Sequence, residues 1–300
     1  MRVVISGSSG LIGGSVVTAL RSRGDEVTAL VRRPPAAGEA RWDPDAGSID
    51  TGVLEAADAV VHLAGAGIGD KRWTPARRRE IVSSRVQSTS LLARTLAELS
   101  RPPSVLVSAS AVGFYGDRGD ETLTEESAPG DGFLAELCRA WEDATGPATG
   151  AAIRVIRLRS GVVLSAHGGA LARQLPLFRL GVGGRLGSGR QWLSWISLPD
   201  EVGAVLRALD DPAMAGAVNA TAPTPVTNRD FTRALGRVLR RPTVMAVPGL
   251  ALRIALGPDL ASEMVLAGQR VLPTKLTAAG YVFDHPDIDT ALGALLAPGA

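Results

Sequence analysis

The 300-residue chain contains one cysteine, three histidines, two tyrosines and two lysines. Cys138 has no partner for an internal disulfide, and its place in an apolar helical pattern predicts a small core residue. His62, His167 and His285 are scattered without metal-ligand spacing, so no metal site is expected. His62 falls in a buried strand pattern and reads as a core histidine with satisfied ring nitrogens. No apolar stretch approaches the ~20 residues of a membrane span. The first apolar run, VVIS, breaks at once into Ser and Gly and does not follow a signal-peptide plan. These absences lead to the expectation of a reducing, cytoplasmic location and no membrane partner. The formal charge is only +2, with acids and bases interspersed, and the one arginine triplet (Arg77 to Arg79) lies in a helical pattern. No basic face and no nucleic-acid partner are expected. Neither tyrosine has a lysine four residues later: Gly119 stands at that offset from Tyr115, and His285 from Tyr281.

What is present is regular. Hydrophobic residues make up 45% and charged residues 21%, the balance of a globular protein long enough for one large domain or two unequal ones. Over the first 160 or so residues, short β-branched runs alternate with helical patterns. RVVIS, EVTALV, DAVVHLAG, SVLVSAS and AIRVIRLRSGVVLS read as strands, with a possible short strand at ARW. The helices between them include one that closes on Gly24 and a long one with Thr74 as N-cap and Pro75 in its first turn. Another covers GDGFLAELCRAWE. This alternation predicts an α/β fold, a Rossmann-type doubly wound parallel sheet with helices on both faces. Beyond about residue 165 the rhythm gives way to Gly-rich loops and short strands at QWLSWIS, AVNATA and TVMAVP. The expected division is a dinucleotide domain over 1–165, with return elements at about 199–222, and a smaller mixed substrate lobe over 166–300. The tail LLAPGA is expected to fray.

Gly7, Gly10 and Gly13 follow the first strand directly and open a helix. In that context they serve a tight turn, backbone approach to a pyrophosphate and close helix–strand packing. The helix N-terminus then offers free N–H groups and a positive dipole end to phosphates. At the end of the second strand an NAD site would place a carboxylate for the ribose hydroxyls; this chain has Arg32 and Arg33. A guanidinium binds a 2′-phosphate that a carboxylate would repel, so NADP(H) is the expected cofactor. The other reading of the two arginines is a solvated pair at a strand end.

With these residues in hand, the chain resembles the extended short-chain dehydrogenase/reductase superfamily. More narrowly it is similar to the atypical epimerase-like branch, sometimes called SulA-like, that carries a small C-terminal domain of unknown function. The segments that carry the likeness are SGSSGLIG (6–13), HLAG (62–65), SASAVGFYGD (108–117), LRSGVVLS (158–165) and GSGRQWLSWISLPDEV (187–202). The stretch from VPGLALRIALG through GQRVLPTKLTAAGYVF adds the C-terminal module, at about 246–300. The resemblance implies cofactor contacts from Gly7, Gly10, Leu11, Ile12, Gly13, Arg32, Leu63 and Ala64, and from Ser108 and Val162 in the later matching segments. REIVSSR resembles a stretch whose Glu and Arg touch NADP, here Glu80 and Arg85; the alternative for both is an ion pair on a helix face.

In that superfamily a Tyr moves the substrate proton and a Lys four residues on lowers its pKa. Aligning Glu142 with the family's acidic position puts Leu134 and Cys138 at those two places, and a shift by one gives Phe133 and Leu137. Neither register supplies a proton carrier, an absence that the branch itself shares. Ser110 is the remaining catalytic candidate, set against strand-end capping; Tyr115 reads as a packing residue. Lys71, with Arg72 and Trp73, stands where an anionic substrate or only solvent could meet it. Gln191, Trp192 and Trp195 form a cluster that would grip substrate or pack the second lobe. Glu125 and Glu126 read as helix-entry charge. The expected function is that of an NADP(H)-dependent oxidoreductase or epimerase-like protein acting on a small carbonyl or sugar-type substrate. Its rival is a non-catalytic NADP(H)-binding sensor or interaction protein.

Overall fold

The computed structural model describes residues 1–297. Its frame is an eight-stranded sheet. Strand β1 (Arg2–Ser6) leads through α1 (Leu11–Ser22) to β2 (Glu26–Val31), β3 (Glu39–Asp43) and β4 (Ser48–Ile49). After α2 (Thr51–Glu55) come β5 (Ala59–His62), α3 (Pro75–Glu98) and β6 (Val105–Ala111). A two-residue strand, β7 (Thr122–Leu123), precedes α4 (Phe133–Asp143), α5 (Gly146–Gly150) and β8 (Arg154–Ser160). Next follow β9 (Val162–Leu164), α6 (Gly169–Arg179), β10 (Gly184–Leu186), β11 (Trp192–Leu193), β12 (Trp195–Ser197), α7 (Leu198–Asp210) and β13 (Gly216–Ala220). The sheet order is β13-β8-β6-β5-β1-β2-β3-β4, and every neighbouring pair is parallel except β3 with β4.

Period-two alternation divides the strand side chains between two helical layers. Val3 and Ile5 pack with Val16 and Leu20 of α1 and with Ala204, Val205 and Ala208 of α7. Val4, Val60 and Leu106 pack on the other face with Leu92 and Leu96 of α3. The long α3 starts where its sequence signals: the Thr74 hydroxyl accepts from the Arg77 N–H, and Pro75 fills the first turn. The short strand predicted at ARW is real and extends to Glu39–Asp43.

The remaining elements are β14 (Val226–Thr227), α8 (Asn228–Leu239), β15 (Met245–Val247), α9 (Gly249–Leu256), α10 (Pro258–Leu260), β16 (Arg270–Val271), α11 (Thr274–Ala278) and α12 (Ile288–Leu295). A separate core joins Leu171 and Phe178 of α6, Trp195, Phe231 and Leu235 of α8, and Ile288 and Leu292 of α12. The QWLSWIS run divides at Ser194 into β11, paired with β14, and β12, paired with β9. The C-terminal stretch divides between cores. β16 pairs with β7, and Leu276, Tyr281 and Phe283 pack on the main sheet, while α12 packs on α8. Of the tail expected to fray, Leu295 and Leu296 pack against the second core; residues 298–300 lie outside the described residues.

Candidate functional site: a cleft over the glycine loop

The C-terminal ends of β1, β2 and β5 open onto a cleft of about 1070 Å³. It is lined by Gly7, Ser8, Ser9 and Gly10, by Arg32, Arg33 and Glu39, by Leu63 and Ala64, and by Glu80, Ser83 and Ser84. The three loop glycines differ physically. Gly7 has φ of +75°, and a Cβ there would lie 2.7 Å from the Leu63 backbone. A Cβ on Gly13 would lie 2.1 Å from the Gly7 carbonyl oxygen, so Gly13 sets how closely α1 meets β1. Gly10 has an ordinary φ of −77° and meets only the Gly7 oxygen, at 3.3 Å. It is the glycine at which a side chain would stand in the cleft rather than in the protein.

Gly10 is also the N-cap of α1, and no side chain caps the helix. The first-turn N–H groups and the positive end of the helix dipole are left for an anion in the cleft. Leu11 packs on the Gly168–Gly169 loop, and Ile12 turns into the main core. The two arginines at the end of β2 behave differently. Arg33 forms a two-pronged ion pair with Glu39, at 2.6 and 2.7 Å, which holds the Glu39 carboxyl below its usual range. Exposed Arg32 makes no side-chain hydrogen bond or ion pair among the described residues. An uncommitted guanidinium in a cleft beside a helix N-terminus is chemistry for a second phosphate.

Glu80 pairs with Arg77 at 2.7 Å, not with Arg85. Arg85 is buried and, among the described residues, pairs with no carboxylate and leaves its Nε without a hydrogen bond. Its guanidinium lies 5.0 Å from the Trp141 ring and against Gly65 in the loop after β5; burial pulls its pKa down to about 10. A buried cation without a counter-ion is costly unless something else supplies negative charge. Ser108 is buried beside His62 in the register, and its hydroxyl has no partner among the described residues. His62 is the core histidine expected. Its ring nitrogens meet Ser6 Oγ at 2.6 Å and Thr89 Oγ1 at 3.0 Å, and burial lowers its pKa to about 4.

Where proton transfer would be expected, the chain has apolar groups. Leu134 and Cys138 of α4 pack on Gly113, just past β6, and burial pushes the Cys138 thiol up to about 12. Ser110 is 4% exposed and donates to Glu142 Oε1 at 2.7 Å. Glu142 is held by Arg159 through Nε at 2.7 Å and Nη2 at 2.9 Å. Arg159 Nη1 donates to the Tyr115 hydroxyl, which donates to Asn219 Oδ1 at 2.7 Å. Tyr115 is thus more than packing: it links β8 to β13. Glu125, expected as helix-entry charge, is buried instead. It accepts from the backbone N–H groups of Asn219 and Lys275 and from the Thr274 hydroxyl, tying the C-terminal stretch to β13.

The substrate candidates differ in their surroundings. Lys71 is exposed, and Arg72 donates to the Ile254 carbonyl beside it. Gln191 donates to the Leu186 and Val265 carbonyls at 3.1 Å. Trp192 donates to Asp120 and lies under the Arg270 guanidinium. Trp195 is wholly buried in the second core, and its indole N–H donates to the Thr224 carbonyl at 3.1 Å. Val162 is half-buried opposite Trp195 in the β9–β12 pair. The Glu142–Arg159 and Glu125 ties escaped the sequence reading, since their partners sit on separate elements with no spacing rule to relate them.

The sheet order, the crowded glycine loop and the uncapped α1 define a Rossmann-type dinucleotide-binding fold. The chain belongs to the NAD dependent epimerase/dehydratase family, whose model matches residues 3–220; a domain of unknown function (DUF1731) matches residues 247–295. Among curated relatives, epimerase family protein MT2273 of Mycobacterium tuberculosis is 46% identical over 97% of this chain and 96% of its own. Among solved structures, human epimerase family protein SDR39U1 with NADPH superposes with a TM-score of 0.91. It is 34% identical and is covered over 98% of this chain and 99% of its own. A nucleoside-diphosphate sugar epimerase from Corynebacterium glutamicum is 40% identical with a TM-score of 0.79, over 98% of this chain and 58% of that one.

Proposed function

We propose that the cleft binds NADP(H) and that the protein is an epimerase-like oxidoreductase acting on a small carbonyl or sugar-type substrate. The observation that carries the cofactor choice is Arg32, a guanidinium without a partner among the described residues, in the same cleft as the N-terminus of α1. NADPH in the human relative's structure supports the same reading. In this reading the α1 N–H groups hold the pyrophosphate and Arg32 the 2′-phosphate. Leu63 and Ala64 flank the adenosine side, and Glu80 and Arg85 approach from α3. The bound cofactor supplies the hydride. Arg85, turned toward Gly65 without a counter-ion, offers charge to the ribose side of the cofactor. The chain contributes orientation and exclusion of water more than proton transfer, because Leu134 and Cys138 replace the usual pair and Ser110 is engaged by Glu142.

That last arrangement gives the second reading, a non-catalytic NADP(H) sensor, its footing. NADPH consumption over a panel of aldehydes, ketones and nucleotide sugars separates the two. Saturable turnover with any carbonyl supports the oxidoreductase. Tight NADPH binding with no turnover across the panel supports the sensor.

A further inference from the structure

We propose that the tip of the second lobe docks on an anionic bilayer surface. The charges expected to be interspersed are in fact segregated. Residues 161–199 and 231–258 together hold nine arginines and no Asp, Glu or Lys, so the rest of the chain is net negative. The fold puts these two acid-free segments side by side. β10 pairs with β15, and Arg241 Nε donates to the Arg179 carbonyl at 2.8 Å.

The joined tip presents apolar side chains outward. Val244 is 88% exposed and Leu180 76%, with Leu177, Val182 and Met245 about half exposed. Beside them the end of α8 forms a recess of about 410 Å³ lined by Arg233, Arg237, Arg240 and Arg241. Arg237 is paired with Asp289, and Arg233 lies 3.8 Å from Asp230. The Arg240 guanidinium makes no hydrogen bond or ion pair among the described residues, and Arg241 bonds only a carbonyl. Protruding apolar tips flanked by guanidiniums match the two layers of a bilayer surface, acyl chains and phosphate headgroups. A second copy meeting this face about a two-fold axis would set arginine against arginine. Nucleic acid would use the recess but leave the apolar tips without a role. The absence of a spanning helix among the described residues bears on crossing a membrane, not on resting against one.

The test is co-sedimentation of the full chain with phosphatidylcholine vesicles, with and without phosphatidylglycerol. Binding is expected only with phosphatidylglycerol. The pair Arg240→Glu, Arg241→Glu should lower the partition coefficient by roughly tenfold or more, since each basic residue at such a surface is worth about fivefold. Val244→Asp should lower it comparably, and its exposure leaves the fold intact. None of these residues lines the glycine-loop cleft, so NADPH titration serves as the control for folding. No sedimentation with anionic vesicles overturns the proposal. So does binding that Val244→Asp leaves unchanged and polyglutamate competes away, which would point to an acidic protein partner.

Discussion

At the scale of single residues, the three loop glycines look alike in sequence and do different work. Their spacing after a strand makes the loop legible, but the backbone distances separate a packing glycine from a cleft glycine. Gly13→Ala would drive a methyl to 2.1 Å from the Gly7 carbonyl oxygen, so it should lower the melting temperature. Gly10→Val keeps an ordinary φ and lines the cleft, so it should fold and lose dinucleotide binding. Circular dichroism melts with NADPH titrations check the pair; a folded Gly10→Val variant with wild-type affinity would show that the loop does not face the cofactor. Position at the end of β2 did not separate the two neighbouring arginines, and it was the family resemblance that singled out Arg32. Only the ion pair with Glu39 shows that Arg33 is committed and Arg32 is not.

At the scale of elements, strands and helices followed from periodicity and caps because those signals are local. Links between elements were not legible. Nothing in the spacing relates Glu142 on α4 to Arg159 on β8, or Glu125 in a loop to the backbone of β13 and α11. Tyr115 shows the consequence. With no lysine partner it was read as a packing residue, yet its hydroxyl bridges Arg159 and Asn219 at 2.9 and 2.7 Å in a buried site. Tyr115→Phe should therefore cost stability, about 1–3 kcal/mol for the groups left unpaired, and leave NADPH affinity within about twofold of wild type, well under 1 kcal/mol. Urea denaturation and a binding titration measure both. Unchanged stability would mean that the bridge contributes nothing in solution.

At the scale of the molecule, the doubly wound sheet was readable from alternation, as was the change of rhythm after about residue 165. The route of the C-terminal stretch back onto the main sheet was not, because two-residue pairings such as β7 with β16 leave no periodic trace. One buried group should make stability depend on pH. Glu201 on α7 is fully buried; one oxygen accepts from the Ser160 hydroxyl and the other has no partner among the described residues. Burial raises its pKa from 4.5 to about 7. The folded state therefore holds this proton more tightly than the unfolded chain. The resulting stability is full below about pH 4.5 and is lost as pH rises through about 7. Glu201→Gln removes that loss, so the variant's stability relative to wild type should grow between pH 5 and 8, by roughly 3 kcal/mol at most. Urea midpoints of the two proteins at several pH values show it; a difference that stays flat with pH contradicts the assignment.

If an uncommitted arginine gives this family fold its preference for NADP(H), paired equilibrium titrations will show it. NADPH and NADH are titrated against the wild type and Arg32→Ala by cofactor fluorescence. The wild type should prefer NADPH, and the variant should lose about 1.5–3 kcal/mol of NADPH binding while NADH affinity barely moves. Equal losses for both cofactors, or a wild type indifferent between them, would mean that Arg32 does not read the 2′-phosphate.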